Sequence, residues 1–171
     1  MSFDFAFRSV QTSKEVRQTI DFLARQDLGY PKYNEWVQRV EAELFSGYKR
    51  AALAYSKGVL VGDIVWQQHK QFPRIRELKN LRISPGARGR CLARFLLRQA
   101  EVEDSEQFDA FLGDARETQV DLMGLMQDMG YIVVGKLNLY EKERRDVVLF
   151  KCLDKSLCQK NLIRIKNSLE L

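Results

Sequence analysis

The sequence predicts an α+β fold in which a mixed, largely antiparallel sheet carries helices on both faces. Three observations predict it. Short apolar segments with strand character are joined by turn signals, as at Lys57-Gly58, which marks a hairpin. Other segments repeat apolar residues at helical spacing and lie between strands as crossovers. The length, 171 residues, with 45% hydrophobic residues and three prolines, suits one body with a real core and no low-complexity linker. The expected division is a main domain over 1–154 and an amphipathic C-terminal helix over 155–171.

The elements follow in order. Residues 3–10 read as a strand. In "TSKEVRQTIDFLARQ", Val16, Ile20, Leu23 and Ala24 share a helical face, with Thr12 or Ser13 as cap. After the breaker "LGYP", Trp36, Val37, Val40 and Leu44 form the stripe of a second helix that Gly47 closes. "KRAALAYS" and "VLVGDIVWQQ" are the hairpin strands, and "RIRELKNLRI" is the next. Leu78 and Leu81 break its period of two, and a β-bulge near Lys79 or Asn80 would bring both to one face. Leu92, Ala93, Leu96, Leu97 and Ala100 mark a third helix, "FDAFLGDA" a strand, and "VDLMGLMQDM" a helix ending at Gly130. "YIVVGKLNLY" and "DVVLFKCL" close as strands around the charged turn "EKERR". In the tail, Cys158, Leu162, Ile165 and Leu169 make one stripe, which packs on the domain or on a second subunit of a homodimer.

Charge and composition narrow the function. No apolar run approaches the ~18–20 residues that span a bilayer. The N-terminal "MSFDFAFRSV" holds Asp4 within its apolar part and lacks a basic leader, so a signal peptide is not expected. Cys91, Cys152 and Cys158 form no CxxC pair and read as reduced thiols of a cytoplasmic protein. One histidine, His69, stands without ligand-type neighbours, which argues against a zinc site or a histidine triad, and no metal is expected. The net charge of +5 fits anionic ligands. The arginine-rich stretch from Arg74 to Arg98 also admits nucleic acid, yet interleaved aromatics and known binding motifs are missing.

The densest signal is "LRISPGARGRCLARFLL", where a strand turns into a helix through glycines and arginines. A helix start exposes unpaired N–H groups and a partial positive charge. Glycine lets the backbone approach a phosphate, and arginine adds charge-assisted hydrogen bonds. The stretch is a pyrophosphate cradle or an exposed turn with surface arginines. It is neither a Walker loop nor a dinucleotide fingerprint, because both consensus patterns are absent.

This stretch resembles motif A of the GNAT superfamily of N-acetyltransferases, an apolar strand, a loop of pattern Gln/Arg-x-x-Gly-x-Gly/Ala and a helix with paired leucines. "KGVLVGDIV" looks like that family's second hairpin strand, and "MQDMGYIVV" resembles its motif B. The element order fits the GNAT fold from Phe3 to Leu153, and "GYPKYNEWVQRV" is similar to the second helix of some bacterial members. The resemblance implies acetyl-CoA as cosubstrate. Backbone groups of Leu81, Arg82 and Ile83 would pair with the pantetheine arm, and amides of Arg88, Gly89, Arg90, Cys91, Leu92 and Ala93 would hold the pyrophosphate. Cys91 departs from the pattern, since the family has glycine there.

It also implies transfer to a primary amine by direct attack on the thioester. Glu77 occupies the position at which several members carry a glutamate base, with Asp63 and Asp114 as alternatives, and Glu77 also reads as a partner for Arg74, Arg76 or Lys79. Where motif B supplies an asparagine and a tyrosine acid in many members, this chain has Gln119 and Met126, and Tyr140 is the substitute proton donor. These departures keep a second reading open, a CoA-binding interaction module that has lost catalysis. The acceptor would meet "DLGYPKYNEW" and "NLYEKERRD", where Tyr30, Tyr33, Trp36, Arg144 and Arg145 offer an aromatic and basic mouth. Nucleic acid enters only as a carrier of the amine.

Overall fold

The computed structural model describes residues 4–27 and 29–170. Phe3, expected to open the first strand, lies outside the described residues, as do Leu28 and Leu171. The elements are β1 (Phe5–Ser9), α1 (Ser13–Ala24), α2 (Tyr33–Phe45), β2 (Lys49–Ser56), β3 (Val59–Gln68), β4 (Ile75–Ile83), α3 (Leu92–Val102), β5 (Ala110–Arg116), α4 (Val120–Asp128), β6 (Ile132–Glu141), β7 (Arg144–Cys152) and α5 (Cys158–Ser168). The strands form a seven-stranded sheet in the order β1-β2-β3-β4-β5-β7-β6. β1–β2, β2–β3, β5–β7 and β6–β7 are antiparallel, and β4–β5 is parallel. The α+β class and the mostly antiparallel sheet are those the sequence predicts. Hairpin turns join β2 to β3 and β6 to β7, longer excursions through α1–α2 and through α4–β6 bring β2 beside β1 and β7 beside β5, and the crossover through α3 gives the parallel pair.

The chain divides into two compact units, one running through Gln67 and resuming over Lys79–Val102, the other made of Gln68–Leu78 and the chain from Glu103 onward. In the first, α1 starts with a capping box: the Thr12 hydroxyl accepts the Glu15 amide, and the Glu15 carboxylate accepts the Thr12 amide. Val16 and Leu23 of α1 and Tyr33, Val37, Val40 and Leu44 of α2 bury against Ala51 and Val65. The opposite face, at Gly62, meets Ile83 and Leu96 of α3. β4 runs unbroken with Leu78 and Leu81 both buried.

In the second unit, Ile165 of α5 packs with Ile75, Ala110, Leu112, Val148 and Phe150. Met126 of α4 is fully buried and packs on Gly113 from the other face. The parallel register is short, from Ile75↔Ala110 to Glu77↔Leu112. The charged turn contracts to Lys142-Glu143, because β6 runs on to Glu141 and β7 begins at Arg144. His69 is a turn residue: its Nδ1 accepts the Gln71 and Phe72 amides, and its ring stacks on Phe72.

The cysteines correct one expectation. Cys152 and Cys158 are joined as a disulfide with Cα atoms 5.4 Å apart, and Cys91 alone is free and exposed. A 3-10 turn over Lys155–Leu157, in which the Ser156 amide and hydroxyl donate to the Asp154 carboxylate, reverses the chain and brings the two together. The expectation of a cytoplasmic location rests partly on reduced thiols, and that ground is removed for this pair. Closing so short a loop stabilises by roughly 2 kcal/mol in the chain-entropy account. The double substitution Cys152→Ser, Cys158→Ser is therefore expected to lower unfolding free energy by about that amount. In hydrogen exchange, the loss should concentrate in α5.

Candidate functional site

In the first unit, β4 ends at Ile83 and the chain enters a 3-10 turn over Pro85–Ala87 before α3. The turn uses its own early amides: Ala87 N–H donates to Ser84 O, and Arg88 N–H donates to Pro85 O at 3.3 Å. Arg88 Nε donates to the Ile83 carbonyl at 3.1 Å, folding that arginine back on the strand end. The ladder of α3 begins with Phe95 N–H donating to Cys91 O. Between these two systems, the amides of Gly89, Arg90, Cys91, Leu92 and Ala93 have no protein acceptor among the described residues. No acidic residue occupies the first turn of α3. Five consecutive donors at a helix start, with Arg88, Arg90 and Arg94 around them, form an anion cradle.

The backbone of the cradle explains Cys91. Its φ is 60° and that of Gly89 is 74°, both left-handed. Glycine adopts that conformation freely, whereas a residue with a Cβ pays about 1–2 kcal/mol. Cys91 thus occupies a position shaped for glycine.

On the face of the sheet toward α1 and α2, Asp63 of β3 is completely buried. Its Oδ2 accepts Asn80 Nδ2 at 2.6 Å, while its Oδ1 has no protein partner. Burial pushes its carboxyl up to about 7, against the pull of the Arg82 guanidinium and the Asn80 hydrogen bond. Arg82 Nη1 donates to the Leu81 carbonyl at 3.1 Å. Tyr33, at the start of α2, donates its hydroxyl to Leu23 O at 2.8 Å, and burial raises that phenol to about 12, so it keeps its proton.

In the second unit, Tyr140 OH donates to Asp114 Oδ1 at 3.2 Å, an acid–carboxylate pair that the sequence separates by 26 residues. The pairing of β6 with β7 shifts between Leu137 and Glu141. The Asp146 carboxylate accepts the Leu139 amide at 3.3 Å inside that irregularity and fixes the backbone before Tyr140. Arg116 is taken by Glu141 at 2.6 Å. Glu77 is half-buried opposite Leu112. Gln119 is the N-cap of α4 without a side-chain cap bond.

A groove of about 400 Å³ lies elsewhere, lined by Arg8, Thr12, Glu15 and Tyr55 among others. It carries two carboxylates, Asp4 and Glu15, and Glu15 is committed to the capping box. Among the described residues, no cluster of three His, Cys, Asp or Glu is placed to hold a metal, and no helix is long and apolar enough to cross a membrane.

No protein-family model matches the sequence, and no curated protein sequence matches it. Solved structures do. A GNAT-family acetyltransferase of Streptococcus pneumoniae superposes with a TM-score of 0.69 at 17% identity, over 87% of this chain and 99% of its own. The fold is that of the GNAT acetyltransferases. A Salmonella typhimurium protein solved with its cofactor acetyl-CoA has a TM-score of 0.71 at 13% identity, over 88% and 95% of the two chains. The Vibrio cholerae spermidine/spermine N-acetyltransferase has 0.68 at 12% identity, over 91% and 98%.

On this GNAT fold, the nine residues expected to contact the cofactor fall together in the first unit, at the end of β4 and the start of α3. Glu77 and Tyr140 both belong to the second unit. The sequence offers Asp63 and Asp114 only as alternatives to Glu77. The signal for Asp63 is a lone carboxylate inside the apolar run "VLVGDIVW".

Proposed function

We propose that this chain is an N-acetyltransferase that passes the acetyl group of acetyl-CoA to a primary amine. The observation that carries the reading is the row of five unengaged amides, Gly89 to Ala93, at the helix start of a GNAT fold. Those amides and the neighbouring arginines fit a diphosphate, and the β4 backbone from Leu81 to Ile83 is an extended edge for the pantetheine arm. Bound there, acetyl-CoA supplies an activated acyl group as a thioester.

The protein's own residues then have two tasks. An alkyl ammonium of pKa ~10.4 must lose a proton before it can attack, which costs on the order of 4–5 kcal/mol at neutral pH. A carboxylate takes that proton, and Glu77 and Asp63 are the candidates. The departing thiolate needs a proton, and the candidate donor is Tyr140, whose hydroxyl donates to the Asp114 carboxylate. Holding the acyl donor and the amine in reacting geometry supplies most of the rate.

Met126 favours the second reading, a CoA-binding module without turnover. At the motif B position of a proton donor stands a fully buried thioether. Calorimetry with acetyl-CoA, followed by thiol release with a panel of primary amines, separates the two. Binding with transfer supports the enzyme, binding without transfer selects the module, and no binding removes both. Within that assay, Cys91→Val places a β-branched residue at φ 60° and is expected to weaken acetyl-CoA about tenfold, or ~1.4 kcal/mol. Cys91→Gly keeps the loop and should bind at least as tightly as the native chain. Equal affinities for all three would detach the loop from cofactor binding.

A further inference from the structure

We propose that Asp63 is the group that receives the proton of the acceptor amine, with Asn80 orienting its carboxylate and Arg82 setting its charge. The inference rests on the acyltransferase reading above and names the base within it. Glu77 has its support from the resemblance alone. Asp63 has it from geometry: a carboxylate wholly removed from water, one oxygen held by Asn80 at 2.6 Å and the other, Oδ1, with no protein donor. An unpaired oxygen in that environment is costly, and a donor such as an ammonium N–H or a water relaying its proton satisfies it.

The groups around Asp63 are few. On β4 they are Asn80 and Arg82. On α2 there is Tyr33, whose proton is committed to the Leu23 carbonyl. Opposite it on β2 stands Leu53, which is apolar. Asp27 and Tyr30, from the loop before α2, act on Arg82. So the only cation acting on Asp63 from these elements is Arg82, and the loop that bears Asp27 and Tyr30 belongs to "DLGYPKYNEW", the expected acceptor segment. The near-neutral carboxyl follows from burial exceeding that cation's pull, and it suits a base working near pH 7.

The step balances simply. The ammonium N–H bond breaks and its proton joins Asp63 Oδ1, giving a neutral carboxylic acid and a free amine. The amine nitrogen then bonds to the thioester carbon, the C–S bond breaks, the thiolate takes a proton from a separate donor, and the second proton that the nitrogen loses as the amide forms restores that donor, directly or through water. Asp63 returns its proton to solvent between turnovers.

Two measurements on the full chain test this. First, carboxyl carbon NMR of Asp63 should show titration near neutrality, moved to higher pH in Arg82→Gln because the charge that favours ionisation is gone. An ordinary acidic value overturns the proposal. Second, thiol release is followed with acetyl-CoA and spermidine, a lysine-containing peptide and an amino-acid amide as probes. Asp63→Asn should lower kcat/KM at least 100-fold. Its acetyl-CoA Kd should stay within about threefold of the native value, and its pH profile should lose the limb near 7. Glu77→Gln is run beside it. If Asp63→Asn transfers as fast as the native chain, or if Glu77→Gln alone removes that limb, the base is elsewhere while the acyltransferase reading stands. Binding of acetyl-CoA with no transfer to any probe also overturns the assignment. Failure of the native chain to bind acetyl-CoA removes the underlying reading itself.

Discussion

Asp63→Asn is expected to make the protein more stable at pH 8 and to flatten its dependence of stability on pH. The folded carboxyl protonates at about 7, whereas an ordinary aspartate does so at 3.8. Between those two values the folded chain keeps a proton that the unfolded chain has released, so native stability falls as pH rises through this window. The loss is complete above the folded value and is on the order of 4 kcal/mol. An asparagine preserves the bond from Asn80 and carries no charge to desolvate. About 2.5 kcal/mol of that loss falls between pH 5 and pH 8, so in thermal unfolding the native chain should melt roughly 5–10 °C lower at pH 8 than at pH 5, and the variant should lose most of that difference. Glu15 acts in the opposite sense at low pH, since the Gln11 amide holds it below the usual range and its contribution is lost on acidification. The measurement therefore stays above pH 4.5 or so, where ordinary carboxylates are ionised. An equal melting difference in both proteins would mean that Asp63 is ionised in the fold without strain. A more stable but slower variant is the expected signature of a group kept for chemistry rather than for the core.

The second large effect is at Gly62. A Cβ built there would stand 2.6 Å from Ile83 Cδ1, 3.0 Å from the Arg82 carbonyl and 3.4 Å from Leu96 Cδ1. The Ile83 methyl can swing aside, but the Arg82 carbonyl is backbone and moves only with the strand. Gly62→Ala should cost on the order of 1–3 kcal/mol of stability, and Gly62→Val more. The cost is informative because of what is displaced. Leu81 to Ile83 is the stretch proposed to line the pantetheine arm, so acetyl-CoA affinity should fall together with stability. Chemical denaturation and calorimetry on the same samples check both. A destabilised variant with native affinity would separate the end of β4 from cofactor binding.

The elements themselves were legible because their signals are local. Apolar periodicity within a dozen residues marked every α-helix, Thr12 or Ser13 was recognisable as a cap, and Lys57-Gly58 as a turn. The cradle was legible for the same reason: glycines, arginines and a helix start are consecutive. What escaped depends on residues brought together from a distance. Asp63 stands in an apolar run, but only the layer of α1 and α2 over that face decides that its carboxylate is sealed from water. Tyr140 and Asp114 meet because β7 inserts between β5 and β6, and because Asp146 fixes an irregularity in β6. The spacing of Cys152 and Cys158 is unremarkable until the turn at Lys155–Leu157 folds one onto the other. Cys91 is the reverse case, a departure from glycine obvious in the sequence, whose left-handed backbone the fold retains all the same.

The bond between Cys152 and Cys158 has a consequence for how molecules of this protein meet one another. α5 is amphipathic and docked through few buried side chains, features that allow a helix to trade places between two copies. With its first residue tied to the end of β7, the helix keeps a very high effective concentration over its own docking face, and a transient release ends in re-docking on the same molecule. Once the bond is reduced, only noncovalent contacts and the three-residue turn hold α5, and exchange of this segment between neighbours becomes a matter of protein concentration.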